Sequence, residues 1–372
     1  MSVCIAVVTG TRAEFGLLDT VMRSIRAHAD FELQVIVAGS HLLKPAETWR
    51  EIADQYDITA TVPMQIDGQP SGRLADAAAM GRGVTGFAGA FVEHKPGWVV
   101  VLGDRIEAFA AASAASVGGI PVAHIHGGDR AEGVADEAMR HAITKLAHLH
   151  LPATQQSAER IIRMGEDPAF VRTVGSPAID DLAPIEPMDD AEHAGLGSPE
   201  FVFLMHPTGD APDSERDVAV AALEAIGDRN ILALHPNHDP GREGVLRAIG
   251  SSTARTVDHL PRQRFIALLK RLAITGGALV GNSSAGLIEA SAIGLPVVNI
   301  GPRQAGRERP NNVIDCGVNA LAIADALDRA LRADRARITS PFGDGNAGMR
   351  IAEAIGSVDH RDPALVRKRC AY

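Results

Sequence analysis

Side chains that can move protons or bind ions are concentrated in residues 123–151, AHIHGGDRAEGVADEAMRHAITKLAHLHL, which hold five of the 14 histidines and four carboxylates. Such a stretch could form a metal site, a solvated helix or an acid–base site. Its HxH and H-x6-H-x-H spacings differ from the HExxH pattern of a zinc helix, and Lys145 would repel a cation. We therefore predict no metal site here, and we predict structural roles for His148 and His150.

The acid–base interpretation rests on the first part of this stretch. His126 and Asp129 lie on a Gly-Gly loop beyond a predicted strand, and a helix is predicted to begin near Asp136. Helical spacing then places Asp136 beside Arg140, at i, i+4. Carboxylates that are tuned by their neighbours can act as general acids and bases, so His126, Asp129 and Asp136 suit proton transfer.

Short apolar runs that end on small or polar residues alternate with helical patterns along the chain. The predicted strands are residues 3–10, 31–39, 96–104, 120–128, 149–154, 201–207, 230–237, 277–284 and 295–301. A Pro- and acid-rich stretch, residues 174–200, is the predicted linker between the two halves. This alternation predicts two doubly wound α/β domains with parallel sheets, which bind ligands at the carboxyl ends of their strands.

Polar residues follow the strands of the first half. The segment TGTRAEFGLL (9–18) combines a glycine turn, a helix N-terminus and Arg12, which together suit a phosphate group. Asp104 and Arg105 follow a later strand, where they are either site residues or a helix cap with its ion-pair partner. The candidate site residues of the second half also lie at or after strand ends. They are His206, His235, Asn237, Asn282, Ser283, Ser284, Glu289 and Arg303.

The chemistry predicted for the second half is nucleotide binding. Ser283 and Ser284 stand where a strand gives way to a helix, so they would either bind a phosphate or cap that helix. Glu289 follows about a turn and a half later, where it could accept hydrogen bonds from ribose hydroxyls. Arg303 lies on the next loop and adds a guanidinium to the same region.

Bulk composition narrows the class of protein. The chain has 372 residues, a net charge of −10, and only two Trp and two Tyr, which argues against a nucleic-acid surface. Its three cysteines are far apart and show no CxxC spacing, which favours a reducing compartment. The N-terminus lacks the features of a signal peptide, and no run approaches ~18 apolar residues, so we expect a cytoplasmic protein without membrane contact.

Six motifs together resemble the hydrolysing UDP-N-acetylglucosamine 2-epimerases of sialic acid biosynthesis. They are GTRAEFGLL, GDRIEA, HIHGGD, DEAMRHAITKLAHLH, VGNSSAGLIEA and NIGPRQAGR. The resemblance implies the glycosyltransferase-B fold: two Rossmann-like domains, residues 1–175 and 176–354, with the active site in the interdomain cleft. Residues 355–372 would pack back on the first domain.

The resemblance also implies roles for single residues. Asp104, Asp129 and Asp136 match the family's catalytic carboxylates, with Arg105 in support, and Arg12 would meet the diphosphate. His206 would assist the departure of UDP. The remaining positions expected to bind substrate are His126, Arg140, His235, Asn237, Asn282, Ser283, Ser284, Glu289 and Arg303. Where the family has Glu after HGG, this chain has the shorter Asp129, which points to a differently shaped substrate.

The implied reaction converts UDP-N-acetylglucosamine and water into N-acetylmannosamine and UDP through a 2-acetamidoglucal, with no metal or cofactor. The implied partner is the UDP-sugar alone, and the implied assembly is a homodimer or homotetramer. A UDP-diacetamido-trideoxy sugar of legionaminic acid biosynthesis is an alternative substrate. The alternative functions are a non-hydrolysing epimerase, a glycosyltransferase on the same fold and a nucleotide-sugar sensor without turnover.

Overall fold

The structure is a computed structural model that describes residues 2–68, 72–130, 136–237 and 241–371. The chain divides into two compact units. Unit 1 contains the described residues up to 129, residues 136–180 and those from 343 onward, whereas unit 2 contains residues 181–342.

Unit 1 alternates strands and helices. Its strands are β1 (Val3–Thr9), β2 (Phe31–Ala38), β3 (Ile58–Val62), β4 (Trp98–Leu102), β5 (Val122–Ile125) and β6 (Leu149–Leu151). Its helices are α1 (Arg12–Ala27), α2 (Trp49–Ala53), α3 (Arg73–His94), α4 (Ile106–Val117), α5 (Asp136–Leu146) and α6 (Gln155–Arg163), with two more near the end of the chain.

The six strands of unit 1 form one parallel sheet in the order β3-β2-β1-β4-β5-β6. Both faces of this sheet are covered. In β1, Ile5 and Val7 belong to the core cluster on one face, and Ala6 and Val8 belong to the cluster on the other. Burial on both faces explains why these strands read as continuous apolar runs rather than as alternating ones.

Unit 2 repeats the architecture. Its strands are β7 (Phe201–Leu204), β8 (Ile231–Leu234), β9 (Arg255–Val257), β10 (Ala278–Gly281), β11 (Val297–Ile300) and β12 (Val313–Cys316). Its helices are α7 (Asp190–Gly195), α8 (Pro212–Ile226), α9 (Arg242–Gly250), α10 (Arg262–Thr275), α11 (Glu289–Ile293) and α12 (Ala320–Leu331). The parallel sheet has the order β12-β11-β10-β7-β8-β9. Read from the other edge, as β9-β8-β7-β10-β11-β12, this is the strand order of unit 1.

Helices α13 (Ala347–Gly356) and α14 (Pro363–Val366) belong to unit 1. The Asp180 carboxylate accepts the Ala347 and Gly348 N–H groups, at 2.8 and 2.7 Å, and so caps α13. Helix α13 packs on α1, where the missing side chain of Gly348 lets it approach the Thr20 carbonyl. The units thus divide at 180/181 and 342/343, against predicted divisions at 175/176 and 354/355.

The predicted linker, residues 174–200, is only partly a connection. Val174, Ala178 and Ile179 are buried in its first part, and α7 lies in its second part. Across the described residues, no helix has both the length and the apolar composition that crossing a membrane requires.

Candidate active site

Both sheets have a point where the strand order changes direction, between β1 and β4 in unit 1 and between β7 and β10 in unit 2. Ligands of doubly wound sheets bind in the crevice that forms at the carboxyl ends of these strands. The loops in question are 10–11 and 103–105 in unit 1, and 205–211 and 282–283 in unit 2. Seven of the fifteen predicted site residues lie on or directly beside these four loops: Arg12, Asp104, Arg105, His206, Asn282, Ser283 and Ser284.

Asp104 follows β4 directly and is held from a neighbouring helix. Arg140, on α5, is almost fully buried and forms a hydrogen-bonded ion pair with the Asp104 carboxylate, whose side chain is 20% exposed. The guanidinium orients the carboxylate through this contact. Asp104 is therefore an Arg140-paired group beside the strand end and not the helix cap that the sequence left open, since Arg105 occupies the N-cap position of α4.

His124, on β5, contacts the loop that carries Asp104. Its Nε2 bonds the Gly103 carbonyl at 2.8 Å, and its Nδ1 lies 3.3 Å from the Thr144 hydroxyl on α5. Burial lowers the pKa of His124 to about 3, so this imidazole is neutral and donates from Nε2 while it accepts at Nδ1. His124 thereby ties α5 to the residue that precedes Asp104.

His126 and Asp129 form a hydrogen-bonded pair on the loop after β5. The His126 Nδ1 lies 2.8 Å from Asp129 Oδ2, and its Nε2 lies 2.9 Å from the Ser176 hydroxyl. The Ser157 hydroxyl donates to Asp129 Oδ1 at 2.7 Å. Two of the three residues that the sequence assigned to proton transfer, His126 and Asp129, are thus hydrogen-bonded to each other, and both His126 and Ser157 orient Asp129. Asp136 begins α5, but its side chain lies outside the described residues.

Two buried glutamates lie under the loop that follows β1. The Gly10 N–H donates to Glu14 Oε2 at 2.7 Å. The sequence suggested that the backbone N–H groups here bind an anion, but this one is bound by the chain's own Glu14. Glu107, fully buried on α4, packs so close to Gly10 and Gly39 that a Cβ at either position would clash with it. Burial, with the neighbouring Glu107 charge, raises the pKa of Glu14 to about 8.

Arg12 and Arg105, the two arginines predicted to act here, have half-exposed side chains. Arg12 pairs with Glu51 at 3.1 Å, and Arg105 lies 3.5 Å from Glu107 Oε2. Both guanidinium groups are about half exposed, which leaves them accessible to a phosphate or a substrate oxygen.

In unit 2, Asn282 bridges the two loops at the switch point. Its Oδ1 accepts the His206 N–H at 2.7 Å, and its Nδ2 donates to the His206 carbonyl at 2.8 Å. The Asn282 carbonyl accepts from Arg303 Nη1 at 3.2 Å and from Gln304 Nε2 at 2.8 Å. Asn282 thus fixes the backbone of His206 through its side-chain amide, and it fixes the loop that carries Arg303 through its backbone carbonyl.

His206 is neutral at physiological pH. Burial, together with the nearby Arg303 charge, lowers the pKa of His206 to about 4. Its Nδ1 accepts the Asn237 N–H at 3.1 Å, which leaves the proton of the neutral ring on Nε2. His206 can therefore donate one hydrogen bond to an oxyanion without carrying a charge of its own.

A buried carboxylate also organises the loop after β7. Glu215 Oε1 accepts the N–H groups of Thr208, Gly209 and Asp210, at 2.6, 3.1 and 3.2 Å, and the Thr208 hydroxyl at 2.9 Å. Glu215 is on α8, the first helix after β7, as Glu14 is on the first helix after β1. Four donors therefore compensate the burial of Glu215.

The remaining predicted binders of unit 2 have mixed environments. Ser283 caps the turn after β10 by accepting from the Ala285 N–H, and Ser284 is partly exposed. Glu289 pairs with Arg262 at 3.1 Å. His235 lies 3.1 Å from the exposed Asp258 carboxylate.

His148 and His150 have partners within the protein, as the sequence predicted. His148 Nδ1 accepts the Val122 N–H at 3.1 Å, and His150 Nε2 bonds Glu166 at 2.9 Å. Within the described ranges, no group of three or more His, Cys, Asp or Glu side chains is arranged to hold a metal ion.

Sequence reasoning missed several supporting residues. Thr11 and Glu14 follow the S/T-x-x-E pattern of a capping box, with Thr11 accepting from the Glu14 N–H, so Glu14 had a usable signal. Glu107 and Glu215 had none, because a glutamate within a helix is normally solvated. The other supporting residues that were missed are His124, Thr144, Ser157, Ser176 and Arg262.

Comparison with known proteins agrees with this arrangement. The family model described as UDP-N-acetylglucosamine 2-epimerase matches residues 23–356. The UDP-N,N'-diacetylbacillosamine 2-epimerase (hydrolyzing) of Legionella pneumophila is 35% identical over 364 residues, covering 94% of this chain and 95% of the relative. The UDP-N-acetylglucosamine 2-epimerase of Neisseria meningitidis serogroup B is 32% identical, covering 94% of each chain.

Among solved structures, the Methanocaldococcus jannaschii UDP-GlcNAc 2-epimerase in complex with UDP-GlcNAc and UDP aligns with a TM-score of 0.80 and 19% identity. The alignment covers 95% of this chain and 100% of that one, so the fold is the same along the whole length. With two parallel six-stranded sheets, this is the glycosyltransferase-B-like architecture. The chain belongs to the UDP-N-acetylglucosamine 2-epimerase family.

Proposed function

We propose that this protein is a hydrolysing 2-epimerase that converts UDP-N-acetylglucosamine and water into N-acetylmannosamine and UDP. The observation that carries the proposal is a pair of held carboxylates in unit 1. Asp104 is oriented by Arg140, and Asp129 is oriented by His126 and Ser157. Inversion at one carbon needs proton-handling groups on two faces of the sugar, and two separately oriented carboxylates meet that need.

The chemistry begins with departure of UDP, because the C2 proton is not acidic while C1 is uncharged. The C1–O bond breaks, and its electrons remain on the UDP oxygen. One carboxylate removes the C2 proton, so that the C2–H electrons form the C1=C2 double bond of 2-acetamidoglucal. Water then supplies hydroxide at C1, and a proton returns to C2 on the opposite face. We assign Asp104 to one proton transfer and Asp129 or Asp136 to the other, with Arg105 in support.

We assign UDP binding mainly to unit 2. The neutral His206 donates from Nε2 to the departing diphosphate, while Ser283, Ser284 and Arg303 offer hydroxyl and guanidinium donors. Such preorganised donors stabilise the charge that develops on a leaving group. Glu289 is assigned to the ribose hydroxyls, and Arg12 to the diphosphate from unit 1. The other assigned binding residues are His126, Arg140, His235, Asn237 and Asn282.

Hydrolysis rather than reversible epimerisation is supported by the block RHAITKLAHLH, residues 140–150, and by the Legionella pneumophila relative, whose name includes hydrolysis. That relative also supports a second candidate substrate, a UDP-2,4-diacetamido-2,4,6-trideoxy sugar. Asp129 fits this alternative, since it is shorter by one methylene than the Glu that is usual after HGG.

The test is a substrate comparison followed by ³¹P and ¹H NMR. The proposal predicts free UDP and N-acetylmannosamine from UDP-N-acetylglucosamine, in equal amounts and without an acceptor. A mixture of two UDP-sugars without free UDP would show a reversible epimerase instead. Free UDP from the diacetamido substrate alone would favour the second candidate. Binding of both UDP-sugars without turnover would contradict the proposal and identify a sensor.

We further propose that the chain assembles as a homodimer or homotetramer. Leu74 and Val92 on α3 are 88% and 76% exposed, and their spacing of five helical turns places them on one face. Ala78, Thr85 and Ala88 are exposed between them on the same face, and a continuous exposed apolar face is typical of a protein contact. Light scattering of the wild type and of a Leu74→Glu/Val92→Glu variant tests this, with a smaller assembly expected for the variant and equal masses contradicting it.

A further inference from the structure

A buried charge cluster in unit 1 has no part in the reaction proposed above. Glu166 is only 1% exposed and receives three donors. Lys145 Nζ and Lys368 Nζ each lie 2.6 Å from one of its oxygens, and His150 Nε2 lies 2.9 Å away. These partners hold the pKa of Glu166 at about 2, against the effect of its burial, so the cluster contains a permanent carboxylate.

Lys368 makes a second set of contacts, with the carbonyl end of α5. Its Nζ donates to the carbonyls of Thr144, Lys145 and Ala147, at 3.1, 2.8 and 2.6 Å. The last carbonyls of a helix lack partners within the helix and carry partial negative charge. The three N–H groups of one ammonium therefore lie against three of these carbonyls, and the charge of Glu166 holds the ammonium there.

The segment that carries Lys368, residues 363–371, is anchored on both sides of it. Leu365 is buried in a core cluster of unit 1, and the Val366 carbonyl accepts from the His148 ring. Beyond Lys368, the Ala371 N–H donates to the Gly165 carbonyl at 2.9 Å. Lys368 is thus a fixed attachment point for α5 rather than a mobile surface lysine.

Helix α5 in turn positions the loop of Asp104 by two routes. Arg140 pairs directly with the Asp104 carboxylate. The Thr144 hydroxyl contacts His124, whose Nε2 bonds the carbonyl of Gly103, the residue before Asp104. The Thr144 hydroxyl also lies 3.1 Å from the Arg140 carbonyl and shares its single proton between that carbonyl and His124, so both routes meet in the last two turns of α5, where Lys368 binds.

We propose that Lys368 is a positioning residue for Asp104: it fixes the carbonyl end of α5 and thereby holds Arg140 and Thr144 in the geometry that orients the Asp104 carboxylate. The catalytic part of this inference rests on the proposed function, whereas its effect on α5 does not.

The chain supplies a matched control in unit 2. Lys270 Nζ donates to the carbonyls of Leu182, Ala183 and Ile185, at 2.7, 3.3 and 2.7 Å. Lys270→Met therefore removes an ammonium bound by three carbonyls, as Lys368→Met does, but it leaves the contacts of α5 intact.

The experiment compares Lys368→Met and Lys270→Met in the full chain by amide hydrogen exchange and by kcat and KM. We expect faster exchange in α5 and a roughly tenfold or larger fall in kcat for Lys368→Met only, because small misplacement of a catalytic group costs this much. KM is expected to stay within about twofold, since bound-state geometry and not binding is affected. Lys270→Met should match the wild type in both measurements.

Unchanged α5 exchange in Lys368→Met, or equal kcat in the two variants, would overturn the inference. If Lys368→Met does not fold, Lys368→Gln keeps a polar group in the cluster but removes the charge and shortens the reach to the α5 carbonyls, so α5 exchange must rise in that variant or the inference is wrong. A wild type without turnover would contradict the proposed function alone, and the exchange measurement would still decide whether Lys368 fixes α5.

Discussion

The two units have the same strand order, but the polar groups that organise their switch points differ in how they are hydrogen-bonded. In unit 1, Glu14 and Glu107 lie together under the loop after β1, with one backbone donor on Glu14. In unit 2, the neutral amide of Asn282 bridges the loops, and Glu215 is satisfied by four donors. The same fold therefore carries two neighbouring carboxyl groups in unit 1, one of them with a raised pKa, and well hydrogen-bonded polar groups in unit 2.

This difference separates the two kinds of work that the proposed reaction needs. Carboxyl groups whose pKa is tuned by their neighbours can take and return protons, and their charged form repels a diphosphate. Neutral donors such as the His206 Nε2–H and the Ser284 hydroxyl, with Arg303 nearby, favour a diphosphate. We therefore propose that unit 1 transfers the protons and that unit 2 binds UDP, and each prediction below changes one of the two units.

The largest effect is expected for Asp104→Asn. Loss of the carboxylate should lower kcat about 10³-fold, within the range for general acid–base groups, while the affinity for UDP stays the same. Steady-state kinetics and calorimetric UDP titration measure the two quantities. Asp213→Asn, which breaks a surface pair with Arg247, is the control and should be neutral. Near-normal turnover in Asp104→Asn would remove proton transfer from this residue.

His206→Ala should weaken UDP binding, which Asp104→Asn should leave unchanged. Loss of one donor to the leaving group is expected to lower kcat/KM about 10²-fold and to weaken UDP binding. Because the pKa of His206 is lowered to about 4, the wild-type profile should show no inflection from His206 between pH 6 and 7. An inflection near pH 6.5 that vanishes in His206→Ala would show that the ring acts as a cation instead.

Asn282→Asp gives unit 2 a carboxylate at its bridge. The variant keeps an acceptor for the His206 N–H, but it places a negative charge against the His206 carbonyl and near the bound diphosphate. We expect UDP affinity to fall about tenfold, which corresponds to ~1.4 kcal/mol. Equal UDP affinity in the variant would mean that the neutrality of this bridge has no role in binding.

Glu14→Gln tests whether Glu14 is protonated in the folded chain, through the pH dependence of the free energy of unfolding. The pKa of Glu14 rises on folding from 4.5 to about 8, so the folded chain binds this proton more tightly. The resulting stability is complete below pH 4.5 and is lost as the pH rises through 8. The wild type should therefore lose up to about 1.4 kcal/mol per pH unit relative to Glu14→Gln within this window.

Urea unfolding of both proteins at pH 6 and pH 8 measures this difference. Glu215→Gln is the matched control, because its four donors are made for a carboxylate. It should lose about 1–3 kcal/mol at both pH values. Parallel pH dependence in the wild type and in Glu14→Gln would show that Glu14 is ionised in the folded chain.

The smallest effect is expected for Glu51→Gln, which removes the exposed partner of Arg12. Exposed ion pairs contribute little, so the free energy of unfolding should change by less than about 0.5 kcal/mol. UDP affinity should be unchanged or slightly higher, since Arg12 becomes fully available to a phosphate. A clear loss of UDP affinity would show that Glu51 positions Arg12.

The fold could be predicted from short apolar runs because nine of the twelve strands are buried and strongly apolar. The other three, β3, β9 and β12, lie at or next to the sheet edges and include exposed residues, so their sequences are weak strand signals. Asp104 and His206 were predictable because they follow strands directly. Their partners Arg140 and Asn282 were singled out as well, but the contacts that join them were not.

The supporting residues show the limit of sequence reasoning. Glu107 is fully buried because Gly10 and Gly39 come together from loops that are 29 residues apart in sequence, and no local pattern records that approach. Lys368 contacts carbonyls more than 220 residues away. Such contacts follow from the closed fold, so composition and spacing could not have supplied them.

The most direct test of the account is turnover of UDP-N-acetylglucosamine in heavy water, with the free sugar examined by proton NMR. A carboxylate of unit 1 that removes the C2 proton exchanges it with solvent before a new one is added. The account predicts one deuterium at C2 in every molecule of N-acetylmannosamine, released together with free UDP. N-acetylmannosamine that keeps protium at C2 would contradict proton transfer by these carboxylates.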